Sequence, residues 1–292
     1  MCTTNIKQLK EPKTYEEQLD LLKSRGLIVK DEKQALHILK RTNYYRLSAY
    51  MLTYKDARNE FVSGTYFEEI YRLYEFDRKL RNILLAMLEK IEIAFRTHIA
   101  YFTAHKYGPL GYKDPANFKN EQYYNEMLQQ MDKEVARSSE LFIKHHAQMY
   151  GGNIPVWATV EVVSFGLISK MFRNLRDEDQ KVIAATYYNI KKDYIESWLR
   201  SLATIRNICA HYGRIYNRNI KMNPMLFNRE KKMGIKNNSV FAILFIIGKL
   251  LKDDNEWQHY ITTVKGLFEQ YEVVDLQVLG FPDEWEEILR SL

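Results

Sequence analysis

Apolar residues recur along this chain at spacings of three and four, the pattern of helices with one buried face, and the strict alternation of a half-buried strand is weak throughout. Thr14-Tyr15-Glu16-Glu17 reads as a capping box opening a first helix that Gly26 can end. Asp31 caps a second helix, and a third runs through Asn43 to Tyr54. After a short loop around Asn59 to Gly64, Thr65-Tyr66-Phe67-Glu68 reads as another capping box. It opens the longest helix, with no breaker until Gly108-Pro109, about 60 Å at the usual rise per residue. The apolar stripe of that helix is Leu73, Phe76, Leu80, Leu84, Met87, Ile91, Phe95, His98 and Phe102, which reads His98 as a core histidine with a hydrogen-bond partner. Asp77 with Arg81, and Glu92 with Arg96, are four apart and read as solvated or structural ion pairs.

Further on, a loop over 108–120 precedes a helix from about Glu121 to Tyr150, and Gly151-Gly152-Asn153 breaks the chain. Pro155 suits the first turn of a strongly apolar helix spanning Val156 to Leu175. Asp177 begins a short helix, and Asp193 caps the one that continues through His211. A basic loop follows Asn223-Pro224, and helices are expected around Ser239–Leu251 and Asn255–Tyr271.

Composition supports an all-α helical bundle. Only 12 glycines and 6 prolines occur in 292 residues, and a 46% hydrophobic content is enough for a substantial core. The two cysteines, Cys2 and Cys209, imply neither a disulfide framework nor a cysteine-based metal site, which suits a reducing cytoplasm. The N-terminus has no apolar run after its charges, so no signal peptide is expected. The longest apolar run, Val240 to Gly248, is too short to span a bilayer and reads as a buried helix. His145-His146 point in different directions on a helix, with no acid or cysteine at ligand spacing, so neither a metal site nor a cofactor is expected.

Charge singles out one segment. Read as a helix, Leu199 to Arg218 carries Arg200, Asn207, His211, Arg214 and Arg218 on its polar side, with Asn207, His211, Arg214 and Arg218 stepping by four, three and four along one stripe. Arg206 sits beside that stripe. A proton carrier that works near neutral pH, flanked by fixed cations, is what phosphodiester chemistry needs. From Arg206 to Lys236 there are eight basic residues against the single acid Glu230, a balance of +7 in a chain whose total is +6. A localised basic tract is the footprint of a polyanion partner. Arg214, Arg218 and Lys221 are therefore candidate contacts to a polyanion, as is Asn43-Tyr44-Tyr45-Arg46, where tyrosine can stack on unpaired bases while arginine holds phosphate, should that polyanion be a nucleic acid. Blander readings stand beside these: an ordinary solvated charged face for the helix, a solubilising surface loop for the basic tract, and packing for tyrosines in a chain that has 21.

Arg206-Asn207-Ile208-Cys209-Ala210-His211 matches the Arg-Asn-x-x-x-His signature of the HEPN superfamily, whose nuclease members cut RNA without metal. Four stretches extend the likeness: Thr14 to Leu22, Asn43 to Tyr50, Leu73 to Arg81 and Ser197 to Leu202. Over roughly residues 14 to 220 the chain resembles abortive-infection (Abi) proteins of the AbiD/AbiF type, a bacterial phage-defence family. In that family a second histidine often stands where this chain has Tyr212, and a serine where it has Gly213.

The resemblance implies a HEPN-like core over 65–220, an N-terminal helical lobe over 1–64, and a basic loop with C-terminal helices over 221–292, together one compact unit. It implies His211 as proton-transfer residue, Arg206 as phosphate clamp and Asn207 as orienter. It also implies a homodimer, because such nucleases usually pair two motifs and this chain has one. The alternatives are a non-catalytic RNA-binding protein restrained by a structured small RNA, and a helical bundle that only engages other proteins.

Overall fold

The computed structural model of the chain describes residue 9 and residues 11–292, so Cys2 lies outside the described residues. The described chain is all-α, with fourteen α-helices. Among the described residues there is no sheet, only three isolated bridges, and no helix is long and apolar enough to cross a membrane. The chain divides into two compact units.

The first unit comprises the residues up to Arg78 together with Gln270–Val274. It holds α1 (Tyr15–Ser24), α2 (Glu32–Arg41), α3 (Tyr44–Met51) and the beginning of α4 (Phe67–Tyr107). The capping box at α1 is present: Glu17 N–H donates to Thr14 Oγ1 (3.1 Å) and Thr14 N–H to the Glu17 carboxylate (2.7 Å). Asp31 caps α2 and Asn43 caps α3 through their side-chain oxygens. Leu19, Leu22, Leu39, Leu47, Phe67 and Leu73 are buried in this unit. The box expected at Thr65 does not form. The Thr65 hydroxyl donates to Val62 O, and the Glu68 carboxylate accepts the backbone N–H groups of Lys30 and Asp31 instead, serving the approach to α2.

The second unit comprises Lys79–Glu269 and Asp275–Leu292. After α4 come α5 (Glu121–Arg137), α6 (Leu141–Met149), α7 (Val156–Val162), α8 (Phe165–Asn174), α9 (Asp177–Tyr188), α10 (Lys192–Ala210), α11 (Asn228–Lys232), α12 (Val240–Leu250), α13 (Asp254–Gln270) and α14 (Trp285–Arg290). α10 packs against α8, α9 and α12, and α5 against α7 and α8. α12 is buried at ten of its eleven positions, as its unbroken apolar run foretells. It ends under Trp257, whose ring lies so close that a Cβ on Gly248 would sit 2.5 Å from it. His98 is half-buried, stacked on Tyr187 at 3.7 Å, with Nδ1 3.1 Å from the Tyr188 hydroxyl. It is a packed histidine, and burial pushes its imidazole below the usual range.

Two helices expected to be continuous are broken. The helix read over 121–150 becomes α5 and α6, because Ser138 and Glu140 adopt extended backbone and the Ser138 hydroxyl accepts the Glu140 N–H (3.3 Å), a local alternative to the helical bond. The helix read over 156–175 becomes α7 and α8. Val163 and Ser164 are extended, and Ser164 N–H donates to Glu134 of α5 (2.6 Å), which places a carboxylate at the start of α8.

Candidate active site

α10 carries the signature. Ile195, Trp198, Leu199, Leu202, Ile205 and Cys209 form its buried face. Asp193 does not cap it: Lys191 occupies the N-cap and Asp193 sits in the first turn, where its charge still suits the positive end of the helix.

The C-terminus is the larger correction. α10 stops at Ala210, so Asn207, His211, Arg214 and Arg218 do not form one helical stripe. His211 is the C-cap, and Tyr212 takes a left-handed conformation (φ +58°). Gly213 N–H donates to Ile208 O (2.7 Å) and Tyr212 N–H to Cys209 O (3.1 Å). These are the two bonds of a Schellman motif, with tyrosine where glycine is usual. The glycine comes one residue later, and for space: a Cβ on Gly213 would lie 3.0 Å from Ile208 Cγ2 and 3.1 Å from Ile208 O. His211 N–H still bonds Asn207 O (3.0 Å), so these two keep their one-turn spacing. Beyond the turn, Arg218 Nη1 folds back to Arg214 O (3.3 Å).

The basic tract that follows is anchored rather than trailing. Ile215, Tyr216, Ile220 and Leu226 are buried. Trp198 Nε1 donates to Met225 O (2.6 Å), and Met225 N–H donates to Ser197 Oγ (2.9 Å), so both bonds tie the tract to α10. Lys221 is exposed, and Glu230, the tract's one acid, is buried.

Arg206 and Asn207 are adjacent in sequence and open on different surfaces. Arg206 Nε donates to Glu92 Oε2 (3.2 Å). The Glu92 side chain is only 9% exposed and is shared with Arg96, whose guanidinium also donates to Val160 O. One buried carboxylate thus ties α10 to α4, and through Arg96 to α7. Arg206 lines a cleft of about 630 Å³ that also contains Arg96 and the carboxylates of Glu89, Glu92 and Glu161. Asn207 lines a separate depression of about 220 Å³ with Lys170, Arg173, Arg200 and Glu196. His211 is exposed at the end of the helix and lines neither. Asn43, Tyr44, Tyr45 and Arg46 belong to the first unit.

Sequence spacing reveals the Glu92–Arg96 pair but not its third member, 114 positions away in the chain. Lys170 and Arg173, which join Asn207, carry no local signal. Among the described residues no group of three or more His, Cys, Asp or Glu side chains is placed to hold a metal ion.

Residues 37–217 match the family described as Abi-like protein. No curated protein and no solved structure matches the chain. A family match over more than half of the sequence, on a chain whose described fold is all-α, establishes the relationship: this protein belongs to the Abi-like protein family.

Proposed function

We propose that this protein binds RNA and cleaves it by metal-independent chemistry of the HEPN kind, as an AbiD/AbiF-type effector of phage defence in the bacterial cytoplasm. Membership of the Abi-like family supports an abortive-infection role. The observation that carries the chemistry is the end of α10, where a buried carboxylate fixes Arg206 while Asn207 and His211 stand exposed one turn apart.

In this reading His211 takes the proton of a ribose 2′-OH, whose oxygen attacks the adjacent phosphorus. The bond to the 5′ oxygen breaks, and the products are a 2′,3′-cyclic phosphate and a 5′-OH that needs a proton from an acid. Arg206, held by Glu92 through Nε, turns its remaining guanidinium N–H groups to the phosphate and stabilises the charge that develops in the transition state, so it adds little to ground-state binding. Asn207 orients the imidazole or donates to a phosphate oxygen. Each chain brings one signature histidine, so the acid for the leaving oxygen comes from a second copy, and the working species is a homodimer. Arg214, Arg218 and Lys221, with Lys170, Arg173 and Arg200 of the Asn207 depression, supply contacts to the RNA backbone.

One observation favours a second reading. Arg206 is engaged by Glu92 in a cleft whose carboxylates outnumber its guanidiniums. On that reading the protein is a non-catalytic RNA binder, and its partner is a structured small RNA. Incubation of purified protein with labelled RNA, with and without EDTA and beside His211→Ala, separates the two. Cleavage that survives EDTA and disappears in the variant is the result expected of the nuclease. RNA binding with no cleavage in either protein is the result expected of the binder.

A further inference from the structure

The first unit, which does not contain α10, has a concavity of its own. It is a groove of about 830 Å³, against about 630 Å³ for the cleft beside Arg206. Tyr15 at the start of α1, Arg25 at its end, Lys40 and Arg41 at the end of α2, Tyr44 and Tyr45 at the start of α3, and Lys55 all line it. Lys13 adds a fifth cation, and Glu11 is the one acid. Arg46 is not among the lining residues.

Basic residues in the last turn of a helix suit its dipole, which accounts for Lys40 and Arg41. It does not account for Lys55, which lies beyond α3 and outside any helix of its own. Its ammonium donates to Asn59 Oδ1 (3.1 Å) and sits 4.7 Å above the Phe61 ring, so it has no carboxylate partner. Burial, and then the positive charge of Arg25, hold it below the usual lysine range. None of the groove's five cations takes part in an ion pair among the described residues. One ring is open as well: Tyr45 is 81% exposed and meets the half-buried Tyr44 ring edge-on at 6.2 Å. Unpaired cations with like charges together, beside an uncovered aromatic face, are the elements that hold an unstacked strand: phosphates on the cations and a base on the ring.

We propose that this groove is a binding site for single-stranded RNA, with Arg25, Lys40, Arg41 and Lys55 on the phosphates and Tyr45 stacked on a base. The proposal rests on RNA being the partner, and it is independent of whether His211 performs chemistry.

Binding is therefore measured in the His211→Ala protein, by fluorescence anisotropy with a short labelled single-stranded RNA and with the same sequence as a duplex. Tyr45→Ala should weaken the single strand by about tenfold and leave the duplex unchanged, since only an unpaired base can stack on the ring. Arg25→Glu with Arg41→Glu should weaken the single strand at least as much. Lys33→Glu, exposed on α2 and outside the groove, should change it little. Single-strand affinity unchanged by Tyr45→Ala would overturn the proposal, as would a Lys33→Glu loss equal to that of Arg25→Glu. If wild-type protein fails to cleave RNA while the groove variants lose single-strand binding, the nuclease reading fails and the groove stands. If wild-type protein cleaves and the groove variants bind as their parent does, the groove fails alone.

Discussion

The two sides of α10 near its C-terminus are built on opposite electrostatic plans. On the Arg206 side, two guanidiniums share the buried Glu92, and Glu89 and Glu161 bring two further carboxylates to the cleft. On the Asn207 side, Lys170, Arg173 and Arg200 face a single acid, Glu196. There Lys170 bonds only the neutral Gln130 amide, and Arg173 lies over the Tyr123 ring. The first side ties helices together with its charge. The second leaves charge available to an incoming anion. An arginine in a signature is therefore not automatically a ligand for phosphate; what it does depends on whether a carboxylate already holds it.

The sharpest way to break the comparison is at His211. His211→Ala should lower RNA cleavage by at least about 100-fold, the usual share of a general acid or base, with little change in thermal midpoint because the side chain is exposed. Activity near wild type in a gel-based cleavage assay would move the chemistry away from the end of α10. Next in size is Glu92→Gln. It removes the one carboxylate that Arg96 and Arg206 share, and breaking a buried pair in this way costs about 3–5 kcal/mol. Urea unfolding measures it, and a loss below about 1 kcal/mol, the worth of a surface pair, would show that the Arg206 side is not structural.

These two sides were unequally legible in the sequence. The buried face of α10 follows from its apolar periodicity, and the signature residues follow from their spacing. The point where the helix stops does not, because a tyrosine in the left-handed region is uncommon and the polar spacing to Arg218 carries a helical reading through Gly213, hiding the space that Ile208 requires there. Nor does the reach of Glu92 to Arg206, since a contact between distant helices leaves no local pattern. Ser138 and Ser164 did carry a signal, because serine competes for backbone hydrogen bonds. The apolar periodicity continues across both breaks, however, and periodicity alone reads through them. At Thr65 the box motif was present, yet the chain spends Glu68 on the amides of Lys30 and Asp31.

Smaller effects sharpen the contrast further. Arg200→Ala should weaken RNA binding several-fold and reduce the slope of log affinity against log salt by about 1, as loss of one phosphate contact does. Arg206→Gln should change that slope less, because Glu92 already engages its charge. Equal slopes for the two variants would erase the distinction. Tyr212→Gly should stabilise the fold by about 1 kcal/mol by relieving the left-handed strain, measured by denaturant midpoint.

The smallest effect lies at the packed His98. Its folded-state value is below its unfolded one, so the unfolded chain binds the proton more readily. Its contribution to stability is thus full above about pH 6.5, the ordinary histidine value, and is lost as pH falls through the depressed folded-state value. Thermal midpoints across that range should fall less in His98→Gln than in wild type.

The two closing bonds of α10 have a kinetic consequence. The amides of Tyr212 and Gly213 exchange with solvent only when the turn opens, and the same opening releases the backbone that orients His211. Their hydrogen-exchange rates are therefore a direct clock for how often the signature end of the helix comes apart. A molecule that seats itself against His211 should slow that clock at these two amides before it slows any amide in the middle of the helix.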